Sequence, residues 1–146
     1  MTTRLPVRVA GSLLAVLLTG GVALGACSTT ADIASGSASP GEAVVAFMHA
    51  LGNKSSDAAC AQVSTGGQRL QDAGLNQCKE GLEKVLDALN DPAEIAELQS
   101  ATVTGATITG NTATVAKGQI VGVPDGYQND IDLVRIDGRW YIDSKT

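Results

Sequence analysis

Near its end the chain reads Leu133-Val134-Arg135-Ile136, then Asp137-Gly138, then Arg139-Trp140-Tyr141-Ile142. β-branched and aromatic residues are frequent in both outer segments, as is typical of strands. An Asp-Gly pair between two such segments favours a tight two-residue turn, because both residues tolerate a positive φ. The stretch therefore predicts a β-hairpin at the C-terminal end of the fold.

The same strand pattern extends upstream of this hairpin. Threonine and valine dominate from Ala101 onward, and Gly110-Asn111 interrupts them as a second turn signal. Pro124-Asp125-Gly126 indicates another turn between these segments and the final hairpin. Together these segments predict four strands in succession, paired as an antiparallel, curved meander.

Helical patterns precede the strands. Ser39-Pro40 predicts a helix start, with Ser39 as N-cap and Glu42 in the first turn, and Gly52-Asn53 ends this helix. Further helices are expected over residues 56–63 and 76–89, with shorter turns over 68–73 and 93–98. The apolar stripes of the first and third helices are Val44, Phe47, Met48, Leu51, Leu82, Val85 and Leu86. Helices first and strands second predict an α+β domain with the helices packed on one sheet face.

The first 26 residues predict an export signal. Arg4 and Arg8 supply the only charges before an apolar run from Val9 to Leu24, which is short for a membrane-spanning helix. The run ends in Leu24-Gly25-Ala26-Cys27, which resembles the lipobox of bacterial lipoproteins. The resemblance implies cleavage before Cys27 and attachment of diacylglycerol to its thiol. We therefore predict a signal peptide over residues 1–26 and localisation to the extracytoplasmic face of the cell membrane.

The predicted domain organisation follows from this cleavage site. Residues 27–39 are small and polar apart from Ile33, so they are predicted to form a lipidated, flexible tether. Residues 40–146 are predicted to form the α+β domain. After cleavage the chain would hold 8 basic and 15 acidic residues, a formal charge of −7. Such a surface disfavours nucleic-acid binding, which depends on basic residues that contact phosphates.

The three cysteines fit the same compartment. If Cys27 is acylated, Cys60 and Cys78 remain as a pair, and an oxidising compartment favours a disulfide between them. The alternative is two buried thiols that behave as small hydrophobic side chains. Two cysteines and one histidine fall short of a structural zinc set, so we expect no metal site and no cofactor.

The helices and the final strands together resemble a known superfamily. Three helices followed by a meander that ends Asp137-Gly138-Arg139-Trp140-Tyr141-Ile142-Asp143 look like the nuclear transport factor 2-like, or cystatin-like, superfamily. More narrowly, the chain is similar to small actinobacterial lipoproteins that carry this domain. The resemblance implies a sheet curled around the helices into a cone with an apolar cavity. Members include isomerases, cyclases and non-catalytic binding proteins, so the fold implies no single function.

Few residues are candidates for chemistry. His49 is the only histidine, and it lies opposite the apolar stripe of its helix, so we expect it to face solvent. Asp130 and Asp132 have period-two spacing and so are expected to share a sheet face; they either solvate that face or form an acid–base pair. The superfamily's isomerases use an Asp base and a Tyr/Asp oxyanion pair, but no local motif assigns these roles to Tyr127 or Tyr141. We therefore predict no catalytic residues.

These observations predict a membrane-anchored protein that binds and does not catalyse. The expected ligand is a small apolar molecule held between the helical stripes and the sheet, or an envelope protein. The alternatives are an isomerase- or cyclase-like enzyme and an accessory subunit with a filled core. Trp140 is expected in the core, as is usual for a lone Trp on a terminal strand.

Overall fold

The protein is described by a computed structural model over residues 35–145. The predicted signal peptide, the predicted lipidation site Cys27 and most of the predicted tether lie outside these residues. Within them the fold is α+β, with helices followed by a curved C-terminal sheet. None of the described helices has the length and apolar character needed to cross a membrane. The helices are α1 (Pro40–Gly52), α2 (Ser56–Cys60), α3 (Asp72–Ala88) and α4 (Pro92–Gln99).

Helix α1 begins where the sequence predicted. The backbone N–H of Glu42 donates to Ser39 Oγ at 3.3 Å, and the backbone N–H of Ser39 donates to Glu42 Oε2 at 3.0 Å. This reciprocal capping box satisfies two backbone donors at the helix start, and Pro40 occupies the first position, where no donor is needed. Gly52 ends the helix, so both predicted ends of α1 are confirmed.

The strand count and pairing differ from the predicted four-stranded meander. Six strands form the main sheet in the order β2-β1-β8-β7-β5-β4, and β3 pairs with β6 in a separate two-stranded sheet. The hairpins at Gly110-Asn111 and Asp137-Gly138 are confirmed. The strands are β1 (Val63–Thr65), β2 (Gln68–Arg69), β3 (Thr102–Val103), β4 (Thr107–Thr109), β5 (Thr112–Val115), β6 (Ile120–Val121), β7 (Ile131–Ile136) and β8 (Arg139–Ser144).

Two of the additional strands, β1 and β2, come from a region for which helices were predicted. Helix α2 ends at Cys60, and residues 63–69 form the hairpin β1–β2. Gly66 and Gly67 have φ values of +58° and +73°, which a two-residue hairpin turn requires and which glycine adopts without steric cost. Strand β1 then pairs in parallel with β8, Val63 lying opposite Ile142. This long-range pairing outweighs the local helical pattern, so the helix predicted over 56–63 was too long and that over 68–73 was wrong.

The core lies between α1, α4 and one face of the sheet. Leu133 lies opposite both Ala113 and Ile142, and these three side chains share the face that meets the helices. Trp140 is 4% exposed within this core, which confirms its predicted place. Its ring also lies 6.0 Å from the Arg135 guanidinium, within range of a cation–π contact.

Helix α3 packs differently from α1. Of its side chains only Leu86 is buried, while Val85, predicted on the buried face, is 46% exposed. The helix contacts α2 most extensively. Most of its apolar side chains therefore border clefts or solvent instead of the core.

Residues 35–37, which we call the strap, lie beside the start of β8. The backbone groups of Ser37 and Trp140 exchange two hydrogen bonds, at 3.0 and 2.8 Å. The carbonyl of Gly36 accepts from Arg139 Nη2 at 2.7 Å, and Gly36 has a φ of +68° with its Cα close to the Tyr141 ring. Residues 35–37, which were predicted as part of the tether, therefore contact the sheet.

Candidate functional site

Three adjoining clefts surround Leu70, where the β1–β2 hairpin meets α3. Their volumes are about 500, 390 and 290 Å³, in the range of small-molecule sites. Leu70 lines all three, and neighbouring clefts share Thr65, Gly74 or Val63. We call these clefts together the hairpin groove; its other lining residues are Ser35, Asp57, Cys60, Ala61, Gly67, Gln68, Arg69, Gln71, Leu75, Gln77, Cys78, Lys79, Ile136 and Ser144.

The polarity of the lining differs between the three clefts of the groove. The 500 Å³ cleft is mainly polar, with Gln68, Arg69 and Gln71 along it. The other two clefts are more apolar, because Val63, Leu70 and neighbouring aliphatic groups line them. Such a surface can hold an apolar body and contact a polar or charged end group.

The cationic side chains of the groove are both paired. Arg69 pairs with Asp137 of the β7–β8 turn at 3.6 Å, and both side chains are largely exposed. Lys79 contacts Asp57, which lines the same cleft. Each cation that lines the groove therefore has a carboxylate partner.

The predicted cysteine pair lies in the wall of the groove. The sulfur atoms of Cys60 and Cys78 lie at disulfide-bonding distance, and their Cα atoms are 6.0 Å apart. The bond joins the end of α2 to the second turn of α3, because α3 begins at Asp72 and not at Asn76 as expected. It holds α3 beside the hairpin although that helix buries little of its own surface.

The groove is not where the sequence placed a cavity. Val44, Met48, Leu51 and Leu86 are buried in the core, where their side chains pack with other apolar groups. None of the seven predicted lining residues lines the hairpin groove. With few aromatic side chains available, the aliphatic stripes close on one another and on the sheet.

His49 does not face solvent as predicted. Its side chain is half-buried, and Nε2 lies 3.1 Å from the carbonyl oxygen of Ala101. The helical wheel placed His49 opposite the apolar stripe, but the segment leading into β3 covers that side of α1. The imidazole therefore joins two elements, and it is not among the groove residues.

Asp130 and Asp132 do not form a pair. Asp130 precedes β7 and accepts from the backbone N–H of Lys117 at 2.8 Å. Asp132 accepts from Thr114 Oγ1 at 2.8 Å and from Lys145, and these hydrogen bonds lower the pKa of its carboxyl. Each carboxylate thus holds a separate structural contact.

The two tyrosines also lie apart from the groove. Burial, and secondly the negative charge of Glu94, raise the pKa of Tyr127. Tyr141 is 1% exposed, and its hydroxyl donates to the Ser35 carbonyl at 3.2 Å. Its phenol therefore fastens the strap to the sheet.

The sequence reasoning missed the groove because it missed the hairpin. Gly66-Gly67 between Val63-Ser64-Thr65 and Gln68-Arg69 is itself a two-residue turn signal, and it could have indicated β1 and β2.

Within residues 35–145, no three His, Cys, Asp or Glu side chains come together in a way that could hold a metal ion. No protein-family model, curated protein or solved structure matches this chain.

Proposed function

We propose that this protein is a lipoprotein of the extracytoplasmic face of the cell membrane that binds a small, largely apolar ligand in the hairpin groove. The observation that carries the proposal is the groove itself. Val63, Leu70 and Leu75 line its apolar part, and Arg69 and Lys79 lie beside them. A few charged groups around an apolar cleft are typical of sites that orient an amphiphilic molecule.

The proposed anchor is the acylated Cys27. Its support is the leader, in which two arginines, an apolar run and Leu24-Gly25-Ala26 precede the cysteine in the order of a lipobox. Cys60 and Cys78 at disulfide-bonding distance agree with an oxidising compartment outside the cytoplasm.

We further propose that the domain belongs to the nuclear transport factor 2-like superfamily, with the cone that this implies. Helices precede the antiparallel strands β4, β5, β7 and β8, and the sheet is curved. Helix α1 packs against β5 and β8 on one face of the sheet. The order and packing of these elements support the proposal.

Binding is proposed in preference to catalysis because the titratable groups hold structural contacts. His49 contacts a backbone carbonyl, and Asp130 and Asp132 accept separate hydrogen bonds. The polar groups of the groove are amides, the hydroxyls of Ser35, Thr65 and Ser144, and ions held in pairs. Such groups can orient a ligand.

A protein partner is a second candidate, and one observation favours it. Strand β4 forms an edge of the main sheet, all three of its residues are exposed, and Ile108 is 55% exposed. An edge without a charged residue or proline can pair with a strand of another protein. Ile108→Lys would place a charge there, and loss of a co-purified envelope protein on this change alone would favour this candidate.

The test of ligand binding uses two glycines of α3. Gly74 lines the groove, and a Cβ there would lie 3.6 Å from Leu70 Cδ2, an ordinary contact. Gly81 lies two turns on, and a Cβ there would meet no atom within 4 Å. Either glycine can be replaced by leucine without loss of helix stability, because leucine favours helices by roughly 0.5–1 kcal/mol over glycine.

We expect Gly74→Leu to fill the groove and Gly81→Leu to leave it open. Binding of an environment-sensitive fluorescent fatty acid, added from water, should weaken at least tenfold in the first variant. That loss corresponds to about 1.4 kcal/mol. The second variant should bind like the wild type. Equal affinities of all three proteins, or no binding by any, would contradict the proposal.

A further inference from the structure

We propose that the hairpin groove takes up an acyl chain of a phospholipid directly from the membrane to which Cys27 is anchored. The inference rests on the proposed function and adds the class of the ligand and its source. It places the apolar chain along Val63, Leu70 and Leu75 and the phosphate near Lys79.

The first step concerns where the groove opens. Ser35 lines the 290 Å³ cleft together with Ala61 and Lys79. Its hydroxyl donates to the Ala61 carbonyl at 3.3 Å, and the neighbouring Gly36 N–H donates to the same carbonyl at 3.0 Å. The strap therefore holds Ser35 at the rim of the groove.

The second step concerns the distance from this rim to the bilayer. Cys27 and Ser35 are 35 − 27 = 8 residues apart, and eight residues span at most about 28 Å even when fully extended. Ser35, and with it one end of the groove, is therefore within about 28 Å of the membrane when Cys27 is anchored there.

The third step concerns the chemistry of the lining. Aliphatic side chains at Val63, Leu70 and Leu75 suit a flexible hydrocarbon chain, which makes no directional contacts. The two more apolar clefts, of about 390 and 290 Å³, share Val63 and Leu70 in their linings. A ligand that occupies both must bend around these side chains, which a flexible acyl chain can do and a rigid, compact molecule cannot.

The fourth step concerns charge. Lys79 lies beside Ser35 and pairs with Asp57, and Arg69 lies further along and pairs with Asp137. The groove therefore carries ion-paired groups next to its apolar part. Such groups can contact the polar headgroup of a phospholipid whose chain lies along the aliphatic side chains.

The test uses the full-length, lipid-modified protein in vesicles of phosphatidylcholine with a minor fraction of phosphatidylglycerol whose acyl chain carries a diazirine. After irradiation, adducts are mapped by mass spectrometry of the peptides. We expect adducts between residues 63 and 79, reduced at least fivefold by Gly74→Leu and unchanged by Gly81→Leu.

Strand β4 provides an internal control. Ile108 is exposed on β4, which lies four strand spacings from β1, roughly 19 Å. Labelling of Ile108 as strong as that of the groove would mean non-specific contact and would overturn the inference. The inference would also be overturned if no adducts formed in the groove. This holds even if the reason were that the protein's own lipid anchor fills the groove. If the fluorescent fatty acid added from water still binds in a Gly74-dependent way, the proposed function stands and only the membrane source is wrong.

Discussion

The bond between Cys60 and Cys78 is expected to supply a large part of the stability of this domain. It closes a loop of 18 residues in the unfolded chain, and the loop-entropy relation gives about 3 kcal/mol for that length. Because a domain of this size unfolds with an entropy of roughly 0.23 kcal/mol/K, the melting temperature should fall by about 13 °C on loss of the bond. Loss of the bond should destabilise helix α3 more than the other helices, since Leu86 is the one buried side chain of α3 among the described residues.

Chemical denaturation of the oxidised protein, the reduced protein and the double variant Cys60→Ala/Cys78→Ala would measure this contribution. The reduced protein is the matched control, because it keeps both sulfur atoms and so separates the cross-link from the cavity left at buried Cys60. Both forms without the bond should lose about 3 kcal/mol. A loss below about 1 kcal/mol in the reduced protein would refute the entropy argument. Free labelling of both thiols in unreduced, denatured protein would show that no bond forms.

Three further predictions concern the anchor, the strap and the sheet. Cys27→Ser should remove the protein from the detergent phase after phase separation, or leave an unprocessed precursor; wild-type protein found only in the aqueous phase would contradict lipidation. Gly36→Ala should destabilise the domain by at least about 1 kcal/mol more than Gly66→Ala. Both positions have a positive φ, but only at Gly36 would the new Cβ lie 2.5 Å from the Tyr141 ring; equal losses in denaturation would show that the strap does not pack there. The pKa of Asp132 is lowered in the folded protein. The contribution of this carboxylate to the free energy of unfolding is therefore complete above the ordinary pKa of 3.8, and it is lost as the pH falls through the lower pKa of the folded state. The stability difference between wild type and Asp132→Asn should therefore shrink at acidic pH, and a constant difference would contradict the role of this ion pair.

Two hairpins and the first helix could be predicted because local rules decide them. Asp137 and Gly138 adopt φ values of +50° and +81°, as their residue types predict for a two-residue turn. Ser39 and Glu42 form the predicted capping box within one helical turn. In each case the deciding interactions lie within a few residues, so neighbouring sequence alone carries the information.

The candidate site could not be predicted in the same way. The groove joins Ser35, the β1–β2 hairpin and α3, and it exists because β1 pairs with β8, about 80 residues further along the chain. Gly66-Gly67 was a readable turn signal, but nothing local shows which strand the hairpin joins. His49 illustrates the same limit, because its position on the helical wheel was correct and the covering segment at Ala101 came from elsewhere.

The sequence by itself determined the α+β class, the ends of α1, the turns at Gly110-Asn111 and Asp137-Gly138, and the core position of Trp140. These depend on capping, turn chemistry and hydrophobic periodicity, which act over short separations. Only the tertiary structure decided the parallel pairing of β1 with β8, the docking of the strap and the position of the groove. Those features depend on hydrogen bonds and packing between distant segments, whose partners are chosen by competition among all the surfaces that the folded chain brings together.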